Sequence, residues 1–320
     1  MRRISAHVLI LIVFLTVTPS LHLYGSAPHE KPLDRLSSSD RETLLNRIHE
    51  SREQNPDYFL ALQNLVDKAP EMAAQNHSGK VSFGFHLGQE PLFLAPALEL
   101  LMVSDPPPDH LSVHIWTQVK QNLIYAIGLM RDRRSLPSLV ALLKCEEDPT
   151  SARIIAESIA RLESDLALES LLGLADNPEQ AQWFRQAVLA GLGPAKREIA
   201  AKRLADELFK RPPPEYACQL LTALGKTAIY GGWSTSSPFA NEEASTRTIA
   251  TNAAVWAILE YKSDLVTRKA TVALYLSSDA ETLKQIRELR VAIDERQRPR
   301  LDGIYDDLRR YLENQGRIQP

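Results

Sequence analysis

His110 and His114 stand four residues apart, the spacing at which two imidazoles on one helix face can share a metal ion, and Asp105 and Asp109 lie close by. No HExxH motif accompanies them and no third ligand stands at a telling distance, so two part-exposed histidines at a helix start are the better reading. All eight histidines lie at or before position 114, which leaves the rest of the chain without an imidazole base. Neither Cys145 nor Cys218 has a histidine close in sequence. No GxSxG elbow and no glycine-rich phosphate loop after a strand occurs. The carboxylate pairs Glu146-Glu147, Glu242-Glu243 and Asp306-Asp307 read as solubility features. The chain therefore does not read as an enzyme, and no metal or cofactor is expected.

Charge points the same way. Arginines cluster at 131, 133 and 134 and again at 287, 290, 296, 298 and 300. Glu288, Asp294 and Glu295 interleave the second group, as on a helix face laced with ion pairs. With a formal charge of −3 the chain has no global basic field for nucleic acid. Aromatic residues are 7% of 320 and glycines only 13, a balance that favours helices over sheets.

Residues 1–27 have the layout of an export signal. Arg2 and Arg3 precede the apolar run VLILIVFLTV (8–17), and Gly25, Ser26 and Ala27 resemble a cleavage region. Ten apolar residues are too few to span a bilayer core of ~30 Å at ~1.5 Å per residue. Pro28 fits poorly after a cut, so an uncleaved anchor touching the membrane through residues 4–23 stays open. Export would place Cys145 and Cys218 where disulfides form, but a whole helix pair separates them, and both are expected as buried free thiols.

The elements that must position any site are helices. Residues 28–38 read as a linker, 39–105 as an N-terminal helical region with an irregular loop at 78–96, and 109–315 as a repeat domain interrupted by a loop at 226–246. Ser39-Asp40-Arg41-Glu42 has capping-box spacing, Asn55-Pro56 and Asn177-Pro178 look like helix starts, and Asp109 is placed to cap a long helix. Phe83, Phe85, Leu92 and Phe93 are expected to pack on the first helix pairs. Leu129, Leu162, Leu192 and Leu224 each close a helix before a short turn, at intervals of 33, 30 and 32 residues. A period of that size signals stacked units. Small residues (Ala126, Gly128, Ala160, Ala190, Gly191, Ala223, Gly225) gather near these turns, where backbones would approach closely.

Leu136-Pro137-Ser138-Leu139 with Leu142-Leu143, then Asp148, Ala152-Arg153, Ala156, Ile159 and Leu162, resemble the HEAT-like repeats of the short kind known from phycobilisome lyases. The resemblance covers residues 109–225 well and 241–296 loosely. It implies an all-α fold, a right-handed α-solenoid of stacked antiparallel helix pairs, and an interaction scaffold rather than a chemistry. One pair of amphipathic helices cannot bury both faces, and stacking supplies the missing partner.

The loop at 226–246 carries glycines, serines and Pro238 together with Tyr230, Trp233 and Phe239, which a purely solvated loop would not favour. Long loops inside compact units are uncommon and often functional. Either Trp233, Phe239 and Tyr230 anchor a partner protein, or the rings fold back into a gap in the core. The expected function is an exported helical scaffold for protein–protein interaction. A small-molecule or enzyme-accessory role beside the loop and a structural envelope component are the alternatives.

Overall fold

A computed structural model describes residues 31–104, 110–233, 239–295 and 298–318. The export segment at 1–27, with its membrane contact at 4–23, lies outside the described residues, as do Asp105, Asp109 and residues 234–238. The described residues form sixteen α-helices and no strand. An N-terminal group comprises α1 (Ser38–Gln54), α2 (Pro56–Asp67), α3 (Ala69–Gln75), α4 (Gly84–Leu87) and α5 (Leu94–Met102). There follow α6 (Val113–Met130), α7 (Leu136–Cys145), α8 (Pro149–Ala160), α9 (Asp165–Asp176), α10 (Gln182–Ala190) and α11 (Glu198–Phe209). The last group is α12 (Pro214–Thr227), α13 (Glu243–Glu260), α14 (Asp264–Ser277), α15 (Ala280–Ala292) and α16 (Arg298–Asn314). No described helix is long and apolar enough to cross a membrane.

Short polar side chains set the helix starts. The Ser112 hydroxyl accepts from Ile115 N at 3.3 Å, Asp148 from Ser151 N at 2.7 Å, and Ser164 from Ala167 N at 3.2 Å. Such caps satisfy amides that the first turn leaves open. Three expected starts shift. The long helix α6 is capped by Ser112, not by Asp109. The α1 cap is Ser37, two residues earlier than expected; its hydroxyl accepts from Asp40 N at 3.1 Å and donates to the Asp40 carboxylate at 2.6 Å. Asn177-Pro178 starts no helix. The Asn177 carboxamide accepts from Glu179 N at 2.9 Å, a local turn that competes with a cap, and α10 begins only at Gln182.

Helices pack in pairs, and alternate helices also touch. α6 lies on α8, α8 on α10, α10 on α12 and α12 on α14, while α9 contacts α8 and α10, and α11 contacts α12 and α13. Glycine sets the approach within the alternate series. A Cβ at Gly128 would stand 2.7 Å from Ser158 Cα, one at Gly191 2.4 Å from the Ala156 Cβ, and one at Gly225 3.1 Å from Ala273 Cα. Gly128, Ser158, Gly225 and Ala273 all belong to the C-terminal halves of their helices, so these alternate helices run parallel. Leu123, Ile127, Ile155, Ile159, Val188, Leu220, Leu224 and Leu274 fill the contacts and are essentially inaccessible. Burying each such side chain stabilises by about 1.5–3 kcal/mol.

The N-terminal region is more closely attached than a linker and a loop would be. Within 28–38, Pro32–Arg35 forms a 3-10 turn against α7, and Leu36 is buried, because Leu33 and Leu36 bring two apolar side chains to one side. Residues 81–84 are held by side chains of α6. The Gln118 carboxamide accepts from Val81 N at 2.7 Å, and the Asn122 carboxamide accepts from Phe83 N at 3.0 Å and Gly84 N at 2.9 Å. Val81 and Phe83 are buried there and Phe93 is half-buried, whereas Phe85 and Leu92 are exposed rather than packed. α16 closes the other end with Leu301, Tyr305, Leu308 and Leu312 turned inward at helical spacing.

Candidate interaction surface

The segment joining α12 to α13 is clamped to the helices on both sides of its undescribed middle. Tyr230 N donates to Leu276 O at 2.8 Å, and Gly231 takes φ +68°, a left-handed conformation that glycine adopts without strain. The Lys196 ammonium donates to Gly232 O. Its neighbour Arg197 lays its guanidinium 3.8 Å over the Phe239 ring and pairs with Glu242 at 3.1 Å and with Asp165. Burial works against the Arg197 charge, but the hydrogen bonds with Asp165 and Glu242 outweigh it and the guanidinium pKa is raised. The turn between α10 and α11 thus grips the segment with two adjacent cations.

The three aromatic residues singled out in the segment part company. Trp233 is 8% exposed, and its indole Nε1 finds no hydrogen-bond partner among the described residues. Its ring fills space in the body, the second of the two expectations. Phe239 is half-buried beneath Arg197. Tyr230 is 40% exposed and lies between Arg317, 4.5 Å from its ring, and Arg247, 5.5 Å from it. Arg247 is tied down by Asp279 at 2.9 Å and Arg317 by Ser278 O at 3.2 Å. A flat ring braced by two fixed cations presents contact area at low entropy cost.

Sequence reasoning missed a second feature beside it. Arg131, Glu163 and Lys196 occupy the turns after α6, α8 and α10, spaced 32 and 33 residues apart, all with left-handed φ between 48° and 53°. Their side chains meet: Arg131 Nη1 lies 3.1 Å and Lys196 Nζ 3.9 Å from Glu163 Oε1. Burial lowers the Lys196 pKa, Glu163 opposes that and Arg131 adds to it. The signal was present as a charge alternation at the repeat spacing, but it was hidden by reading the turns through their leucines.

The histidine pair dissolves. His110 precedes α6 and lies 3.2 Å from Asp67, while His114 contacts the Gln118 carboxamide at 2.8 Å. Among the described residues no group of three potential ligands gathers. Cys218 is a buried thiol, and burial raises its pKa, whereas Cys145 is only half-buried. A cavity of about 370 Å³ between α1, α2 and α5 is bridged by an Arg52–Glu99 ion pair. No family model matches the chain, and no curated protein matches it in sequence. The braced, exposed Tyr230 ring between fixed cations offers a rigid surface for contact.

Proposed function

We propose that the chain is an exported scaffold of HEAT-like helix pairs, stacked as a right-handed α-solenoid, which binds a partner protein through the surface around Tyr230. The observation that carries this reading is the parallel series α6, α8, α10, α12 and α14, each joined to the next, with glycine at three of these contacts. Such a series makes each helix pair the packing partner of the next and leaves a long face free for binding. The clamped described ends, 228–233 and 239–242, then serve as a fixed platform, with Trp233 inside, Phe239 under Arg197 and Tyr230 outside. The apolar run at 8–17 behind Arg2 and Arg3 supports export.

The test is a photo-crosslinking residue placed at position 230 in the living cell, with the exposed Glu169 of α9 as the control position. The reading expects one discrete protein adduct at 230 and none at 169. Equal or absent adducts at both positions would remove the Tyr230 surface. A chain recovered wholly from the cytoplasm with residues 1–27 still attached would remove export.

A further inference from the structure

Glu157, on α8, is 6% exposed, yet three cations converge on its carboxylate. Arg153 pairs with it from one turn before, Arg161 stands 3.5 Å away from one turn after, and Lys226 reaches it at 3.0 Å from α12. A single cation suffices to pair a carboxylate, so two positive charges are in surplus, in a chain whose formal charge is −3. Arg161 is held in place by stacking 4.9 Å from the Tyr125 ring, and its Nη1 is buried without a hydrogen-bond partner.

Arg153 also lines a cleft of about 140 Å³ formed with Thr150, Trp183, Gln186 and Gln219 of α8, α10 and α12. No acidic residue lines this cleft. Trp183 is 37% exposed, an apolar plane beside the charges. The volume suits one or two side chains rather than a whole cofactor.

We propose that the face of α8, α10 and α12 around Glu157 docks an acidic peptide segment of a partner protein. One apolar side chain of the peptide lies against Trp183, and its carboxylates take up the surplus charge of Arg153, Lys226 and Arg161. Charge complementarity selects this occupant: fixed guanidinium groups bind carboxylates in two-pronged geometry, and the cleft offers no acid to attract a basic segment. Glu157 is the counter-charge that keeps the cations together while the face is empty. The proposal rests on the scaffold reading but uses none of the residues around Tyr230.

The experiment measures fluorescence anisotropy of a labelled eight-residue Glu/Leu peptide on the full chain. A Lys/Leu peptide of equal length and a twelve-nucleotide single-stranded DNA serve as competitors. The Glu/Leu peptide should bind, and the Lys/Leu peptide should fail to compete. Trp183→Ala should weaken binding about fivefold and the pair Arg153→Gln with Lys226→Gln about tenfold. Glu157→Gln should tighten it about threefold, an effect that a merely structural ion network would not produce. Circular dichroism checks that each variant is folded, and Trp183→Ala, at the surface, keeps the test open if the charge variants unfold. Absence of peptide binding, equal affinity in folded Trp183→Ala, or DNA competing as well as the peptide would each overturn the proposal. If binding is absent while position 230 still crosslinks a partner, this inference falls and the scaffold reading stands.

Discussion

Gly191 and Gly173 show how the same residue type carries opposite weight. A Cβ at Gly191 would meet the Ala156 Cβ at 2.4 Å, whereas one at Gly173, inside α9, would meet nothing within 4 Å. Gly191→Ala should therefore cost about 1–3 kcal/mol by forcing two helices apart. Gly173→Ala should gain about 0.5–1 kcal/mol, because alanine loses less freedom in a helix. Denaturant unfolding of the two variants checks both signs. Trp233→Ala should cost about 3 kcal/mol as a buried ring is lost, read by the same method.

Asp132 supplies a pH signature. Burial raises its carboxyl pKa, but hydrogen bonds from Arg134 and the charge of Arg47 outweigh burial, and the net value falls below the ordinary 3.8. The stability from this depressed acid is full well above pH 3.8 and is lost as pH falls through the lower folded value. Asp132→Asn should accordingly flatten the acid limb of a stability-against-pH curve. The residues legible in the sequence were the small ones at the turns, because type and position agree there. Glu157 was not legible. A lone acid on a polar helix face has no periodicity, and only the fold brings Lys226 to it.

Elements were legible where apolar spacing and a cap coincided, as in α8 behind Asp148. They were misplaced where a turn competed, as at Asn177, or where side chains from another helix decided the outcome. The stretch 78–96 is the clearest case. Its glycines spoke against regular structure, but its first part is held by two carboxamides on α6, Gln118 and above all Asn122. Asn122 accepts from Phe83 N and Gly84 N and donates to Val81 O at 3.1 Å and Gln118 O at 2.9 Å. Asn122→Ala would leave several part-buried backbone groups unpaired, at about 1–3 kcal/mol each. Amide hydrogen exchange over residues 81–87 should quicken markedly in this variant, while exchange in α12 and α14 stays unchanged.

The alternation of helix pairs was the most legible feature of the whole molecule, because leucines spaced 30–33 residues apart report on packing rather than on one element. The interruption at 226–246 was legible as a break, but not as a clamp: Lys196 and Arg197 are some forty residues distant in sequence from Phe239. The account's central claim, that the helix pairs follow one another in translational order, is most directly tested by spin-label distances. Labels go on exposed first-turn positions of the parallel helices: Val113 on α6, Thr150 on α8, Gln182 on α10, Glu215 on α12 and Leu265 on α14. With neighbouring helices about 8–10 Å apart, the distance from Val113 should lengthen at each step, reaching about 30–40 Å at Leu265. A distance from Val113 to Glu215 or Leu265 no longer than that to Thr150 would mean helices closed around a common centre, and would contradict the account.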